Sequence, residues 1–289
     1  MLDAHPQVAI APEMQFMLPE LMGRVLPRLR WRLSKIAPGP TMLLLELACL
    51  CRRLRTRQQM ERIVLEQPVF DDFGLSRDAV RSCLRDVEPF DLASGLRALY
   101  GLYAAHHGKP RWGEKMPENL WFMWALQRTL PEVRFIHLIR DPRDVALSIT
   151  RVWFGPNQIS EVPRWWRMRM QLARLQAPWL RHYREVRYED LVREPEATLR
   201  GLCDFLELEY DPALLRYHEH AAERLEEVGP RHVNGHIRII DRRPLFENNL
   251  RPPDPALIGR WKDKLSADER RLFNRVCGKW LLEFGYELG

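Results

Sequence analysis

Val133-Arg134-Phe135-Ile136-His137-Leu138-Ile139-Arg140-Asp141-Pro142-Arg143-Asp144 decides how this chain folds. Residues 133–140 are almost continuously apolar between two arginines, the pattern of a strand buried on both faces in a parallel sheet. Asp141 and Pro142 follow at once. Aspartate caps helices and proline is pre-set for the first helical position, so a helix begins there. Val145, Leu147, Ile149 and Val152 supply its apolar positions. The order is strand, tight turn, helix, with charges gathered at the turn.

Working outward, Val8-Ala9-Ile10-Ala11 reads as a short strand ending at Pro12-Glu13, and Glu185-Val186-Arg187-Tyr188 as another ending at Glu189-Asp190. A helix is expected from Pro195 to Leu206, with Leu199, Leu202, Phe205 and Leu206 at helical spacing. The last helix opens on the capping box Ser266-Ala267-Asp268-Glu269. Residues 14–130 read as mostly helical. Strands alternating with helices predict a doubly wound α/β sheet, which binds ligands beyond the carboxyl ends of its strands. The turns at 11–13, 140–143 and 188–190 are therefore candidate sites. No repeat, low-complexity stretch or linker divides the chain, so residues 1–289 are expected to form a single domain.

Composition bounds the function. The 289 residues carry 45 Lys+Arg against 39 Asp+Glu, a formal charge of +6, and 46% are hydrophobic. Disorder is excluded by that balance, and the arginine-rich excess suits an anionic partner or a set of solvated helix faces. Five cysteines, an odd number, argue for reduced thiols rather than a disulfide framework. The N-terminus has no secretory pattern. The longest apolar run, Met42–Leu50, is broken by Glu46 and falls short of the ~20 residues a bilayer requires. A soluble, cytoplasmic protein with no integral membrane segment is expected.

Several groups of residues could carry chemistry. Arg140, at a strand end beside a helix N-terminus, with Ser148 and Arg151 three apart further on, could hold a phosphate; a surface salt-bridge cluster of Arg140, Asp141, Arg143 and Asp144 is the plain alternative. Lys115, in the loop Trp112–Asn119, could present an ammonium to an anion or simply be solvated. Glu13 could act as a general base, although most lone glutamates do not. His232 and His236 flank Asn234-Gly235, a turn signal, and no H-E-x-x-H accompanies them, so a zinc site is not expected. The tryptophans and arginines between Pro163 and His182 suit an amphipathic surface helix, with nucleic-acid stacking as the alternative.

These segments together resemble the sulfotransferase family, in particular its bacterial branch related to tyrosylprotein sulfotransferases. Phe135–Ser148 (FIHLIRDPRDVALS) is similar to the segment that binds the 3′-phosphate of 3′-phosphoadenosine 5′-phosphosulfate (PAPS). RYEDLV at 187–192 resembles the next signature, WGEKMPENL at 112–120 the lysine loop, and MLDAHPQV at 1–8 the stretch after the first motif. The resemblance implies a three-layer P-loop-NTPase-like α/β fold with a central, mainly parallel sheet. It implies that Arg140 and Ser148 hold the 3′-phosphate, with Arg151, Tyr188 and, through a looser match, Arg251 also meeting the cofactor. Lys115 would offset charge on the transferring group and Glu13 would deprotonate the acceptor. The reaction implied is in-line sulfuryl transfer from PAPS to a hydroxyl or amine, without a metal.

The sequence departs from the family at its first motif. No Ser-Gly-Thr-Thr loop occurs in the 289 residues, and Met1 aligns just after its place. The first strand and phosphosulfate loop are thus expected to be missing, through a start assigned at an internal methionine, with a genuine short form as the alternative. In the first case the 289-residue chain alone should be weakly stable and nearly inactive. The competing functions are an inactive nucleotide-binding remnant and a basic nucleic-acid-binding protein. The acceptor's class and the oligomeric state are not written in the sequence.

Overall fold

A computed structural model describes residues 1–13, 56–67, 69–152, 155–226, 228, 231–232, 239–240, 243 and 246–289. The Met42–Leu50 run, Cys49, Cys51 and the Asn234-Gly235-His236 turn lie outside them. In chain order the elements are β1 (Val8–Ala11), α1 (Arg57–Leu65), α2 (Arg77–Arg85), α3 (Leu92–His106), β2 (Arg111–Glu114), α4 (Met123–Thr129), β3 (Phe135–Ile139) and α5 (Pro142–Ile149). There follow α6 (Val162–Gln176), β4 (Tyr183–Arg187), α7 (Tyr188–Arg193), α8 (Pro195–Leu206), α9 (Ala221–Glu226), β5 (Arg231–His232), β6 (Ile239–Ile240), α10 (Trp261–Lys264) and α11 (Ala267–Glu283). This is an α/β fold whose longer strand pairs are parallel. Contacts divide it into two compact units, Met1–Pro131 with Asp211–Pro252, and Glu132–Tyr210 with Pro253–Gly289.

In the first unit β1 pairs in parallel with β2, Val8 opposite Arg111 and Ala11 opposite Glu114. β2 corrects the sequence reading, which put residues 112–119 in a loop within a mostly helical stretch. Arg-Trp-Gly-Glu has no alternation of its own, so its pairing with β1, far away in sequence, makes it a strand. The core is helical. Leu96, Leu99, Tyr100 and Tyr103 line one face of α3 at helical spacing and are almost fully buried, as are Met60 and Val64 of α1 and Val80 and Leu84 of α2. Gly95 permits this approach, since a Cβ there would lie 2.5 Å from Met60 Sδ. Capping boxes at Thr56 and Asp91 start α1 and α3.

In the second unit β3 pairs in parallel with β4, Phe135 opposite Tyr183 and Ile139 opposite Arg187. Ile139 packs with Trp166 and Met170 of α6 and Cys277 and Leu281 of α11. β3 also differs from the sequence expectation. It is not buried on both faces: successive side chains alternate across the strand, and while Ile139 is buried, Leu138 is 50% exposed. β4 starts two residues earlier than the sequence suggested, and Tyr188 is already helical. Helix α8 and the Ser266 capping box stand where the sequence put them. Cys83, Cys203 and Cys277 are not in disulfides, and among the described residues no helix is long and apolar enough to cross a membrane.

Candidate active site

In the second unit the site begins where β3 ends. Arg140 is the first residue beyond the strand. Its guanidinium carbon lies 4.3 Å from the centre of the Tyr188 ring, and its Nη2 donates to the Leu257 carbonyl at 2.9 Å. Its Nε is buried and has no acceptor among the described residues. Such an orphan costs about 1–3 kcal/mol until an acceptor arrives. An arginine at a strand end, steadied by an aromatic face and holding an unused buried N–H, fits a phosphate oxygen.

A buried network fixes the turn. Asp141 Oδ1 accepts from the backbone N–H of Arg143 at 2.9 Å, the cap expected from the sequence. The same carboxylate takes Arg143 Nε at 2.9 Å and Nη2 at 2.7 Å. With Arg143 1% exposed, this pair is an interior one; the surface cluster weighed from sequence is not what forms. Arg143 also stacks at 3.5 Å on Trp261. Asp144 accepts from the backbone N–H groups of Gly259 at 2.6 Å and Trp261 at 3.0 Å. Burial raises its pKa, and those two N–H groups oppose the rise. Glu189 accepts from the Asp141 N–H at 3.0 Å and the Tyr286 hydroxyl at 2.7 Å. The partners at 259, 261 and 286 carry no signal in the sequence. They come from distant segments, and only the acidic turn after β4 gave a signal.

Ser148 is exposed near the end of α5, and its hydroxyl donates to the Val145 carbonyl at 3.1 Å. Arg151 is also exposed, but it lies beyond the end of α5 at Ile149, in a turn closed by its N–H on the Ser148 carbonyl at 3.0 Å. The helix expected to carry both residues ends between them.

In the first unit Glu13 follows β1 and Lys115 follows β2. Because the strands are parallel and in register, both residues leave the same end of the pair, and the Lys115 ammonium donates to Glu13 Oε1. Their side chains are 26% and 62% exposed. β1 is pinned from several sides. Arg224 Nη2 donates to the Tyr103 hydroxyl at 2.6 Å and the Ile10 carbonyl at 3.3 Å, and its Nε meets Asp3 at 2.9 Å. Lys109 donates to the Val8 carbonyl at 3.1 Å. Glu114, which the sequence reading passed over, takes the Tyr100 hydroxyl at 2.9 Å on one oxygen and Asn119 Nδ2 at 2.8 Å on the other. Burial raises its pKa against those two hydrogen bonds. This ties the turn after Lys115 to the strand before it. Arg251 is exposed after the 3-10 turn Glu247–Leu250, where its carbonyl accepts the Tyr217 hydroxyl at 2.7 Å.

Candidate residues thus follow the carboxyl end of each parallel strand: Glu13, Lys115, Arg140 and Tyr188. The model of the Sulfotransferase family matches residues 1–212. Human carbohydrate sulfotransferase 1 is 23% identical over a stretch covering 54% of this chain and 39% of its own length. A putative protein-tyrosine sulfotransferase of Caenorhabditis briggsae is 29% identical over 40% of this chain and 44% of its own. The matched stretch therefore spans about two fifths of these curated relatives. The sulfotransferase domain of the Synechococcus PCC 7002 olefin synthase, 22% identical, superposes with a TM-score of 0.56 over all of this chain and 89% of that one, a likeness of fold. With the family model matching residues 1–212 of 289, the chain belongs to the sulfotransferase family.

Proposed function

We propose that the chain catalyses transfer of a sulfuryl group from PAPS to a hydroxyl-bearing acceptor. The observation that carries this reading is the contact between Glu13 and Lys115. The resemblance gives one the role of base and the other that of charge-stabilising cation, and although 102 residues apart they meet at the ends of adjacent parallel strands. Arg140, with its orphaned Nε and its stacking on Tyr188, supports a phosphate subsite for the 3′-phosphate. Ser148, Arg151 and Arg251 are proposed as further contacts to the donor.

PAPS supplies an activated sulfuryl group on a bisphosphate leaving group. The chain's residues then have three tasks. Arg140 and its neighbours bind the nucleotide end through its phosphate. Glu13 takes the proton of the acceptor hydroxyl as the new oxygen–sulfur bond forms. Lys115 offsets negative charge on the oxygen that leaves as the old bond breaks, as cations do in phosphoryl transfer. An anionic sulfuryl group beside Lys115 competes for its ammonium and releases Glu13 to act as base. The curated relatives are named for carbohydrate and protein-tyrosine transfer. Both acceptors offer hydroxyls, so an acceptor of that chemistry is proposed here, in a soluble, cytoplasmic protein.

The test is transfer of label from [35S]PAPS to saccharide and tyrosyl-peptide acceptors. Wild-type turnover that falls at least a hundredfold in both Glu13→Gln and Lys115→Ala supports the reading. Turnover unchanged in both variants contradicts the roles given to the pair. Bisphosphate binding without turnover on any acceptor supports a nucleotide-binding protein instead.

A further inference from the structure

The second unit contains a cavity of about 290 Å³ that none of the roles above uses. It lies among the start of α5, the end of β4, the turn before α10 and the segment after α11. Arg143, Arg187, Arg193 and Lys262 line it, facing four carboxylates. The formal charges cancel, but the free hydrogen-bonding capacity does not. Asp141 is taken up by Arg143, and Asp144 by two backbone N–H groups. Glu189 has a donor on each oxygen, and Glu287 pairs with Lys262. On the cationic side, Arg143 Nη1 and Arg187 Nε are buried and have no acceptor among the described residues, and Arg143 as a whole is 1% exposed.

Buried donors are nearly always paired, with protein, water or ligand. The acids around this cavity are already engaged, whereas Arg143, held by Asp141, and Arg187, beside Asp190, each keep one buried N–H to spare. A planar fork with a spare N–H is suited to an oxyanion, and the volume, at the small end for ligand pockets, suits a single group rather than a whole drug-sized molecule. We infer that this cavity is an oxyanion site, taking a sulfate, phosphate or carboxylate group between Arg143 and Arg187. It is separate from the proposed nucleotide contacts: Arg140 does not line it, its guanidinium being turned to Tyr188 and Leu257.

Crystals soaked in sodium selenate, a sulfate analogue located by its anomalous scattering, test this directly. Selenate within hydrogen-bonding distance of Arg143 and Arg187 is the expected result; a cavity holding only water overturns it. Calorimetry at fixed ionic strength with sodium sulfate, phosphate and acetate separates a tetrahedral ion from a carboxylate. Arg187→Lys keeps the charge but removes Nε, and should weaken binding of the preferred anion at least tenfold. Arg193→Gln, at an exposed position that should not disturb folding, should weaken it severalfold. Arg140→Ala should leave it within twofold. Binding that disappears in Arg140→Ala but survives in Arg187→Lys and Arg193→Gln assigns the anion to the nucleotide site and overturns the inference, whatever the outcome of the transfer assay.

Discussion

Glu13 and Lys115 form an ion pair at a strand end, and the role of base proposed for Glu13 has a defined kinetic signature. Glu13→Gln keeps the shape and removes the basicity, so turnover should fall about 10²–10⁴-fold, while calorimetry finds bisphosphate affinity unchanged. Asp141 offers a second test on a different property. Asp141→Asn leaves Arg143 charged and unpaired in the interior, a loss worth about 3–5 kcal/mol that urea denaturation would measure. Arg140 was legible in the sequence because it ends an apolar run and precedes an Asp-Pro helix start. The burial of Arg143 was not legible. Four charged residues in five positions look like surface, and only the arrival of Trp261, Gly259 and Glu189 from elsewhere encloses them.

At the scale of elements, β3 carries a pH-dependent load. Burial, and then the positive charge of Arg174, push the pKa of His137 down to about 4, while its Nδ1 lies 2.7 Å from the Tyr183 hydroxyl. The unfolded chain takes up this proton near pH 6.5 and the folded chain only near 4. Between those values the unfolded state binds more protons, so stability falls as the pH is lowered through that window, by up to ~3 kcal/mol. Chemical denaturation from pH 7 to 4 should show this slope, and His137→Gln should flatten it. Helix α11 gives a simpler expectation. Ser266→Ala removes one half of its capping box and should cost about 1 kcal/mol, read as a shift in the urea midpoint. Elements with a strong local signal, such as α8, α11 and the β3–α5 turn, were legible. β2 was not, since nothing in Arg-Trp-Gly-Glu shows a period and its strand character is conferred by β1.

At the scale of the molecule, the sequence announced an α/β fold and the family, because strand-end charges recur in a fixed order along the chain. It did not announce that contacts would gather into two units, each built from an early and a late segment. Chain closure of that kind leaves no local pattern. A basic excess of +6 suits either a nucleotide site or nonspecific polyanion binding, and the two differ in response. A bisphosphate held by a buried arginine fork depends on one residue, whereas DNA binding depends on many and falls steeply with salt. The decisive measurement is calorimetric titration of adenosine 3′,5′-bisphosphate into the protein and its Arg140→Ala variant. Saturable one-to-one binding, weakened tenfold or more by Arg140→Ala in a variant that still folds, is the predicted result. No binding, or equal binding by both proteins, would contradict the account.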